Sequence, residues 1–309
     1  MSNDADDRWA IGVDLGATKI ASALVDRSGK VVHSRHTPTL AAEGPTAVCN
    51  RIAEEIRALL WEASDHEVAG VGIGSPGIVD SNSGIVRGAV NLRWDEVHLA
   101  AEVSDRIGGI AVFAEKDANA NALGEGMFGS AVGTHDYVLL TIGSGLGCGT
   151  VSGGHLIRGA THIAGDLGHY AIDPDTGREC PCGQRGCVET VVSGPGLIAT
   201  MRAIVPESEL SSDGILAAAR ESPGPARDAV ITLATRLGQC AAVAAAVTNP
   251  DTIIIGGGLG VAAFDLIAEP AEREMYRRVS PTLRDTIRFK PATLASPAIG
   301  AASIVWSRT

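Results

Sequence analysis

One short stretch of the chain concentrates side chains that bind soft metal ions. Residues 168–189 read GHYAIDPDTGRECPCGQRGCVE and hold three of the six cysteines. Thiolate sulfur and imidazole nitrogen are preferred ligands of zinc, and four of them suit a closed tetrahedral structural site. The intervening prolines and glycines favour turns that fold the segment around an ion. The predicted zinc ligands are His169, Cys180, Cys182 and Cys187.

Two other interpretations of this stretch compete with a metal site. A disordered loop would carry its cysteines by chance, but the other three, Cys49, Cys148 and Cys240, are scattered singly. A disulfide would need an oxidising compartment, and nothing in the sequence points to one. The clustering therefore favours zinc.

Three glycine-rich bends each follow a predicted strand: DLGATK at 14–19, GSGLGCG at 143–149 and GGGLG at 256–260. Glycine permits positive φ and lets backbone N–H groups approach an anion, as a phosphate-binding loop requires. None matches the Walker pattern, and each alone could be an ordinary turn. Together, in two similar halves, they favour a bound nucleotide. The candidate nucleotide-binding residues are Asp14, Gly16, Thr18, Lys19, Gly143, Ser144, Gly145, Gly256, Gly257 and Gly258.

Two carboxylates stand where they could serve phosphoryl transfer. Asp14 lies beside Thr18 and Lys19, so it can hold Mg²⁺ while its neighbours meet phosphate oxygens. The alternative for Asp14 is a side chain that caps its own turn. Asp117 begins a predicted helix after a strand, where an acidic N-cap is common. The functional alternative for Asp117 is a general base that takes a proton from a substrate hydroxyl.

Composition excludes several classes of partner. The chain has 309 residues, enough to bury a large core in one or two domains, and a net charge of −11. That charge argues against nucleic acid or an anionic membrane surface as the main partner. The acidic start, MSNDADDRW, does not resemble a secretory signal, and no run of about 18 uninterrupted apolar residues occurs. We expect a reducing, cytoplasmic setting.

The elements of the first half predict a β-meander followed by alternating helices and strands. Apolar residues recur at helical spacing over 45–63, and a polar turn separates the second and third strands. We expect a loop from the end of the fourth strand through Trp94. Strands are predicted at 10–16, 20–25, from Val31, at 68–73 and at 110–113, with helices at 45–63, about 97–106 and from Asp117.

The second half repeats the opening pattern of strand, glycine bend and strand, which suggests a weak internal repeat. Strands that alternate with helices favour an α/β fold. Two similar halves predict two lobes with a cleft between them, the default ligand site. Strands are predicted at 137–142, 252–255 and about 286–294, with helices at about 194–204, 211–220, 225–247, 261–278 and from 298.

These motifs resemble those of the ROK family (repressors, open reading frames, kinases), which includes sugar kinases of the actin/hexokinase/Hsp70 superfamily. DLGATK resembles the family's first phosphate motif, GSGLGCG its second and IIIGGGLG its adenosine motif. KDANANALGE resembles the catalytic motif, and the GH…CxCGxxGCxE stretch resembles the specific family signature. The resemblance covers essentially the whole chain.

The resemblance implies ATP-dependent phosphorylation of a hexose hydroxyl by two ribonuclease H-like or actin-like lobes. These would be residues 1–120, rejoined by a helix at about 298–309, and residues 121–297, which carry a structural Zn²⁺ loop. It further implies Mg²⁺, a homodimer or homotetramer, and a catalytic base at Asp117. The implied sugar-binding residues are Gly77, Lys116, Asp117, Asp166, His169 and Glu189, and His169 would bind zinc as well.

Two residues depart from the family pattern. Lys116 replaces the usual Asn before the catalytic Asp, and Asp166 replaces the usual Glu. Lysine only donates hydrogen bonds, whereas an amide also accepts them. A nearby ammonium would also favour ionised Asp117 and make it a weaker base. We hypothesise that Lys116 and Asp166 pair across the pocket, and we expect an altered sugar preference, with amino or N-acetyl sugars among the candidates.

Two alternatives of other classes remain open at this point. A sugar-responsive regulator of the same family would carry a helix-turn-helix, for which the sequence before residue 10 leaves no room. A catalytically weak sugar sensor is suggested by Lys116. The sequence leaves open the sugar, its hydroxyl, and ATP or polyphosphate as the donor.

Overall fold

A computed structural model describes residues 8–64 and 66–308. The chain divides into two compact units. Unit 1 comprises residues 1–132, 158–164 and 294–309, and unit 2 comprises residues 133–157 and 165–293. The domain limits expected from the sequence, at residues 120 and 298, stay a prediction.

Strands and helices alternate along most of the described chain. The strands are β1 (Trp9–Leu15), β2 (Lys19–Val25), β3 (Val31–Pro38), β4 (Val68–Ser75), β5 (Ile78–Asp80), β6 (Ile85–Ala89), β7 (Trp94–Val97), β8 (Val112–Lys116), β9 (Tyr137–Ile142), β10 (Leu146–Ser152), β11 (His155–Leu156), β12 (Thr252–Gly256) and β13 (Arg288–Pro291). The helices are α1 (Pro45–Ala63), α2 (Leu99–Arg106), α3 (Asp117–Phe128), α4 (Gly194–Ile204), α5 (Ser212–Glu221), α6 (Pro225–Thr248), α7 (Gly258–Ala262), α8 (Phe264–Tyr276) and α9 (Pro297–Trp306).

The main sheet of unit 1 has the strand order β3-β2-β1-β4-β8. The first three strands form the expected antiparallel meander, and β1, β4 and β8 run parallel. Helix α1 has the predicted limits because Pro45 occupies its first turn and its apolar stripe, including Val48, Ile52 and Ile56, is buried. This arrangement brings the carboxyl ends of three parallel strands to one edge.

Helix α9 belongs to unit 1 although it lies far along the chain. It packs on the sheet at two glycines. A Cβ at Gly12 would lie 1.8 Å from the carbonyl oxygen of Ala298, and one at Gly72 would lie 1.9 Å from that of Ala301. Only residues without a side chain permit this contact between helix backbone and strand backbone.

Unit 2 repeats the topology of unit 1. Its sheet has the order β11-β10-β9-β12-β13, again an antiparallel meander joined to two parallel strands. The internal repeat predicted from the glycine bends is therefore confirmed in strand order. Helices α5, α6 and α8 pack together beside this sheet, and the mixed α/β fold in two lobes agrees with the predicted fold class.

Helix α6 is, among the described residues, long and apolar enough by composition to cross a membrane. Yet 56% of the most apolar 18-residue stretch of this helix is buried within the protein. The buried residues, among them Leu233, Leu237 and Ala241, belong to the main hydrophobic core of unit 2. The apolar composition of α6 is thus that of a helix buried in a protein core.

Three local predictions were wrong. Residues 78–97 are not a plain loop: β5, β6 and β7 form a small antiparallel sheet, whose strands of three to five residues are too short to show an alternating pattern. The helix expected over 261–278 is broken at Ala263 into α7 and α8. Strand β8 extends to Lys116 rather than ending at Phe113, so the base candidate follows it directly.

Candidate active site

The carboxyl ends of β1, β4 and β8 bring the acidic candidates of unit 1 together. Asp14 on β1 is in register with Gly74 on β4, which is in register with Glu115 on β8. Asp117 is the first residue of α3, and a Cβ at Gly74 would lie 3.6 Å from its Cα. The ends of parallel strands are where α/β sheets bind ligands.

The two carboxylates influence each other electrostatically. Burial, and after it the negative charge of Asp117, raise the pKa of Asp14 from 3.8 to about 6, although Lys19 acts in the opposite direction. A carboxylate pair with one nearby cation favours a divalent metal, because the metal neutralises charges that otherwise repel. The donor set therefore fits Mg²⁺, held directly or through water.

Asp117 combines the features of a base and of a helix start. Desolvation raises the pKa of its carboxyl group, while the Ala118 N–H and the Lys116 ammonium lower it. The Ala118 N–H donates to Oδ1 at 2.6 Å, and the remaining oxygen can accept a proton. The direction expected for Lys116, stabilisation of ionised Asp117, is found.

The first glycine bend is held by Thr39, which no sequence pattern singled out. Thr39 is fully buried; its hydroxyl donates to the Gly16 carbonyl at 2.7 Å, and its N–H donates to the Thr18 carbonyl at 3.0 Å. These bonds occupy two carbonyl oxygens of the bend. Thr18 and Lys19 are exposed, as groups that meet phosphate must be.

Gly77 follows β4 at the same edge of the sheet. Its φ is +92°, and a Cβ there would lie 2.8 Å from the carbonyl oxygen of Arg87 on β6. Glycine is thus required by the backbone of the small sheet, which is sufficient to explain the residue. Its contact with a sugar stays a prediction.

In unit 2 the other two glycine bends lie side by side. Gly256 at the end of β12 is in register with Thr141 on β9. Gly257 has φ +77°, and a Cβ there would lie 2.4 Å from the carbonyl oxygen of Ile142. The bends that follow β9 and β12 therefore approach one another through their backbones, which favours one nucleotide served by both.

Glu189 is tied to the bend after β9. Its Oε2 accepts the Leu146 N–H at 2.8 Å, and a Cβ at Gly145 would lie 2.4 Å from that oxygen. The Gly143 carbonyl accepts the Gly194 N–H at 2.8 Å. The predicted sugar ligand and the predicted phosphate bend thus share a hydrogen bond, which sequence spacing did not indicate.

The predicted zinc ligands converge. The ligand atoms of His169, Cys180, Cys182 and Cys187 all lie within 4.8 Å of one another. His169 Nδ1 is 3.6 Å from Cys180 Sγ, and the sulfurs of Cys182 and Cys187 are 3.6 Å apart. A tetrahedral site with bonds of about 2.0–2.3 Å places its ligand atoms about 3.5–3.8 Å apart. Both separations fit zinc, and no disulfide joins the cysteines of the described chain.

The loop that carries these ligands is closed by backbone contacts. Gly186 has φ +76°, and a Cβ there would lie 1.7 Å from the carbonyl oxygen of Asp173. Arg178 fastens the loop to α4 by donating to the carbonyls of Thr190 and Gly196 and to the hydroxyl of Thr200. The predicted ligands therefore lie on a loop that is joined to itself and to α4 by backbone contacts and hydrogen bonds.

His169 uses Nδ1 on the metal side, because that nitrogen faces Cys180. Its side chain is exposed, and so is that of Asp166, whose carbonyl accepts the His169 N–H at 3.2 Å. The Nε2 nitrogen is thus available to a ligand outside the metal site. Unit 1 holds Asp14, Gly77, Lys116 and Asp117; unit 2 holds the zinc loop, Asp166, Glu189 and the later glycine bends.

Known proteins resemble this chain in both sequence and fold. Residues 10–308 match the model of the ROK family. A glucokinase from Halalkalibacterium halodurans is 33% identical, with 94% of this chain and 92% of that protein covered. A ROK family glucokinase from Streptomyces griseus, solved with glucose and AMPPNP, is 31% identical with a TM-score of 0.82, covering 97% of this chain and 98% of that one.

A repressor branch shares the fold too. A ROK family transcriptional regulator, a homolog of the E. coli MLC protein, superposes with a TM-score of 0.86 at 26% identity, and the match covers 97% of this chain but 78% of the regulator. Similarity of fold alone does not separate the branches. The match of the family model to nearly the whole chain, together with the full-length glucokinase relatives, shows that this chain belongs to the ROK family.

Proposed function

We propose that this sugar kinase transfers the γ-phosphoryl group of ATP to a hydroxyl of a hexose, with glucose as the first candidate acceptor. The observation that carries the proposal is the position of Asp117, at the first turn of α3 and within electrostatic reach of Asp14. The relatives that are glucokinases support the acceptor. Lys116 and Asp166 are the reason to test other hexoses as well.

Asp117 is the proposed general base. Its hydrogen bond from Ala118 fixes one oxygen. The other oxygen accepts the proton of the acceptor hydroxyl as the hydroxyl oxygen bonds to the γ-phosphorus of ATP and ADP leaves. Burial raises the pKa of the carboxyl group, which strengthens the base. Positioned proton transfer of this kind contributes roughly 10²–10⁴-fold in rate.

The glycine bends and the residues beside them would bind the ATP. Asp14 would hold Mg²⁺, which neutralises phosphate charge when bound. Thr18 and Lys19 would donate to phosphate oxygens, and backbone N–H groups of Gly143, Ser144 and Gly145 would do the same. The bend from Gly256 to Gly258 would approach the nucleoside, where side chains would obstruct it.

The zinc site is proposed to be structural. Four protein ligands complete a tetrahedron and leave no open position for a substrate or water. The ion would fix the ring of His169, so that Nε2 keeps one direction toward the sugar. Gly77, Lys116, Asp166 and Glu189 complete the proposed sugar contacts by family resemblance.

The cellular setting and assembly follow the same family expectation. We propose a cytoplasmic enzyme, since the thiolates of a zinc site persist in a reducing compartment. We propose a homodimer or homotetramer, which size-exclusion chromatography with light scattering tests directly.

The activity is tested by sugar-dependent release of ADP with glucose, mannose, glucosamine, N-acetylglucosamine and N-acetylmannosamine, with Asp117→Asn as the matched variant. We expect turnover of at least one hexose and a loss of about 10²–10⁴-fold in Asp117→Asn. Parallel runs with polyphosphate identify the donor. Sugars that raise the melting temperature without any ADP release would instead establish a sugar-binding protein.

A further inference from the structure

Glu115 is a buried carboxylate to which the proposed mechanism gives no task. It lies on β8, two residues before Asp117, and its side chain is 1% exposed. A charge at such a depth is retained only with good partners. Its partners therefore indicate its role.

One oxygen of Glu115 spans the turn that presents Asp117. Oε1 accepts the Lys116 N–H at 3.0 Å and the Asn119 side-chain amide at 3.0 Å. These donors lie on either side of Asp117, at the end of the strand and in the first turn of α3. The amide oxygen of Asn119 is buried and has no hydrogen-bond partner among the described residues. The amide is thus oriented by the carboxylate alone.

The other oxygen of Glu115 is neutralised from a segment distant in sequence. Arg158 Nε donates to Oε2 at 2.6 Å. Arg158 begins the segment 158–164, which is part of unit 1 and is closed by the Ala164 N–H donating to the Arg158 carbonyl at 3.1 Å. We call this segment the closed loop.

The closed loop is fixed at a second point. His162 Nε2 lies 3.2 Å from Asp80 Oδ1, and His162 has φ +61°. A non-glycine residue in the left-handed region persists where its surroundings hold it. Arg158 is thus presented by a loop with one defined conformation.

We infer that Glu115 is a positioning residue for Asp117, and that Arg158 is the charge partner that keeps Glu115 in place. This inference rests on the proposed role of Asp117 as the base. Oε1 sets the angle between β8 and α3, and that angle sets where the Asp117 carboxylate points. Without Arg158, the buried anion turns toward other donors and releases the turn.

An ion pair between α1 and β3 in the same unit offers a control. Glu55 Oε2 accepts from Arg35 Nε at 2.9 Å, and the Glu55 side chain is 11% exposed. Arg35 lies on β3, at the opposite edge of the sheet from β8. Glu55→Met and Glu115→Met therefore each remove an ion pair whose carboxylate is largely buried, but only the second releases the Asp117 turn.

The experiment compares these variants with Glu115→Gln and Asp117→Asn in kcat, KM for ATP and melting temperature. Glu115→Gln keeps an acceptor at Oε1 for Lys116 and Asn119. We expect Glu115→Met to lower kcat about 100-fold, the usual effect of misplacing a catalytic group by about 1 Å. Its KM for ATP should stay within about threefold, and Glu115→Gln should recover most of the loss.

Several outcomes are decisive. Equal kcat in Glu115→Met and Glu55→Met, assayed equally far below their melting temperatures, would overturn the inference. If Glu115→Met does not fold, Arg158→Met is compared with the double variant that carries Arg158→Met and Glu115→Gln. The positioning role requires the double variant to be more active than Arg158→Met alone. An active Asp117→Asn would refute the base assignment itself, whereas an inactive one beside an unaffected Glu115→Met would refute only the positioning role.

Discussion

Asp14 carries a charge that its surroundings disfavour. Its pKa is raised from 3.8 to about 6 by burial and by Asp117, so ionisation destabilises the folded state as pH rises from about 4 to about 6, and fully above that. Asp14→Asn should therefore raise the melting temperature at pH 8 in metal-free buffer and much less at pH 4. The same variant should lose kinase activity, because the proposed Mg²⁺ ligand is gone.

Thermal melts across this pH range check the prediction, with Asp26→Asn as the control. Asp26 lies in the turn between β2 and β3, and hydrogen bonds from Ser28 and Lys30 keep the pKa of its carboxyl group low. Replacing Asp26 should destabilise rather than stabilise the protein at pH 8. If Asp14→Asn raised the melting temperature equally at all pH values, the buried charge of Asp14 would not be the cause of the increase.

Lys116 lies at the same edge of the sheet and carries a positive charge, so its effect on a neighbouring carboxyl group is opposite to that of burial. Its ammonium lowers the pKa of the Asp117 carboxyl group. Lys116→Asn should raise that pKa, so the acidic limb of kcat/KM should move to higher pH, since a general base acts only when deprotonated. A pH–rate profile with the preferred hexose measures this; an unmoved limb would mean that the limb reports another group.

At the residue scale the sequence predicted the groups with recognisable chemistry and missed those that hold them. Cysteine spacing predicted that His169 and the three cysteines lie together, and their ligand atoms do cluster; metal binding stays a prediction. Thr39, Glu115 and Arg158 carry no such signal, because Thr39 lies 23 residues from Gly16 and Arg158 lies 43 residues from Glu115. Local patterns do not contain the pairing of residues that are distant in sequence.

The zinc loop, residues 168–189 with the four predicted metal ligands, depends on one glycine more than on another. A Cβ at Gly186 would meet the Asp173 carbonyl at 1.7 Å, whereas nothing lies within 4 Å of one at Gly183, although both glycines have positive φ. Gly186→Ala should open the loop and lose bound zinc. Gly183→Ala should cost only about 1–2 kcal/mol of backbone strain and keep the metal.

The zinc content per chain, measured after dialysis, compares Gly186→Ala with Gly183→Ala. The KM for sugar should rise in Gly186→Ala more than the KM for ATP, since the loop carries His169 and Glu189. Equal zinc in both variants would mean that the four ligands close the site without help from the backbone crossing.

At this scale the prediction of elements succeeded where a pattern was long. Helix α1 and strand β9 have the predicted limits, because α1 shows its helical periodicity over its whole length and β9 is an almost wholly apolar run. The sheet of β5, β6 and β7 was missed because its longest strand has five residues. Its first turn is made by Asp80, whose side chain accepts the Asn82 N–H at 3.0 Å, and that polar segment was interpreted as loop.

For the whole molecule, the contact between α9 and the sheet of unit 1 leaves no room for side chains at two glycines. Gly72→Ala would force a Cβ against a carbonyl oxygen at 1.9 Å, so helix and sheet must separate. Overpacking of this kind costs about 1–3 kcal/mol or more, and about 2–4 °C in melting temperature for each kcal/mol. Gly88→Ala, with positive φ but no atom within 4 Å, should cost less.

Calorimetry of the two variants distinguishes packing from backbone strain. A larger drop in melting temperature for Gly72→Ala is expected, and an equal drop would show that the contact with α9 adjusts easily. The repeated topology of the two units was predictable from the glycine bends. The close contact with α9 was not, because glycines in a strand do not reveal which backbone approaches them.

The dependence of unit 1 on α9 also orders events during synthesis. The ribosome makes β1 and β4 early and α9 only after unit 2. At roughly 5–20 residues per second, the sheet of unit 1 waits on the order of ten seconds or more before the helix that covers Gly12 and Gly72 exists. Until then this apolar face is open to chaperones. Unit 2, whose elements emerge without such a gap, is the part that can finish folding first.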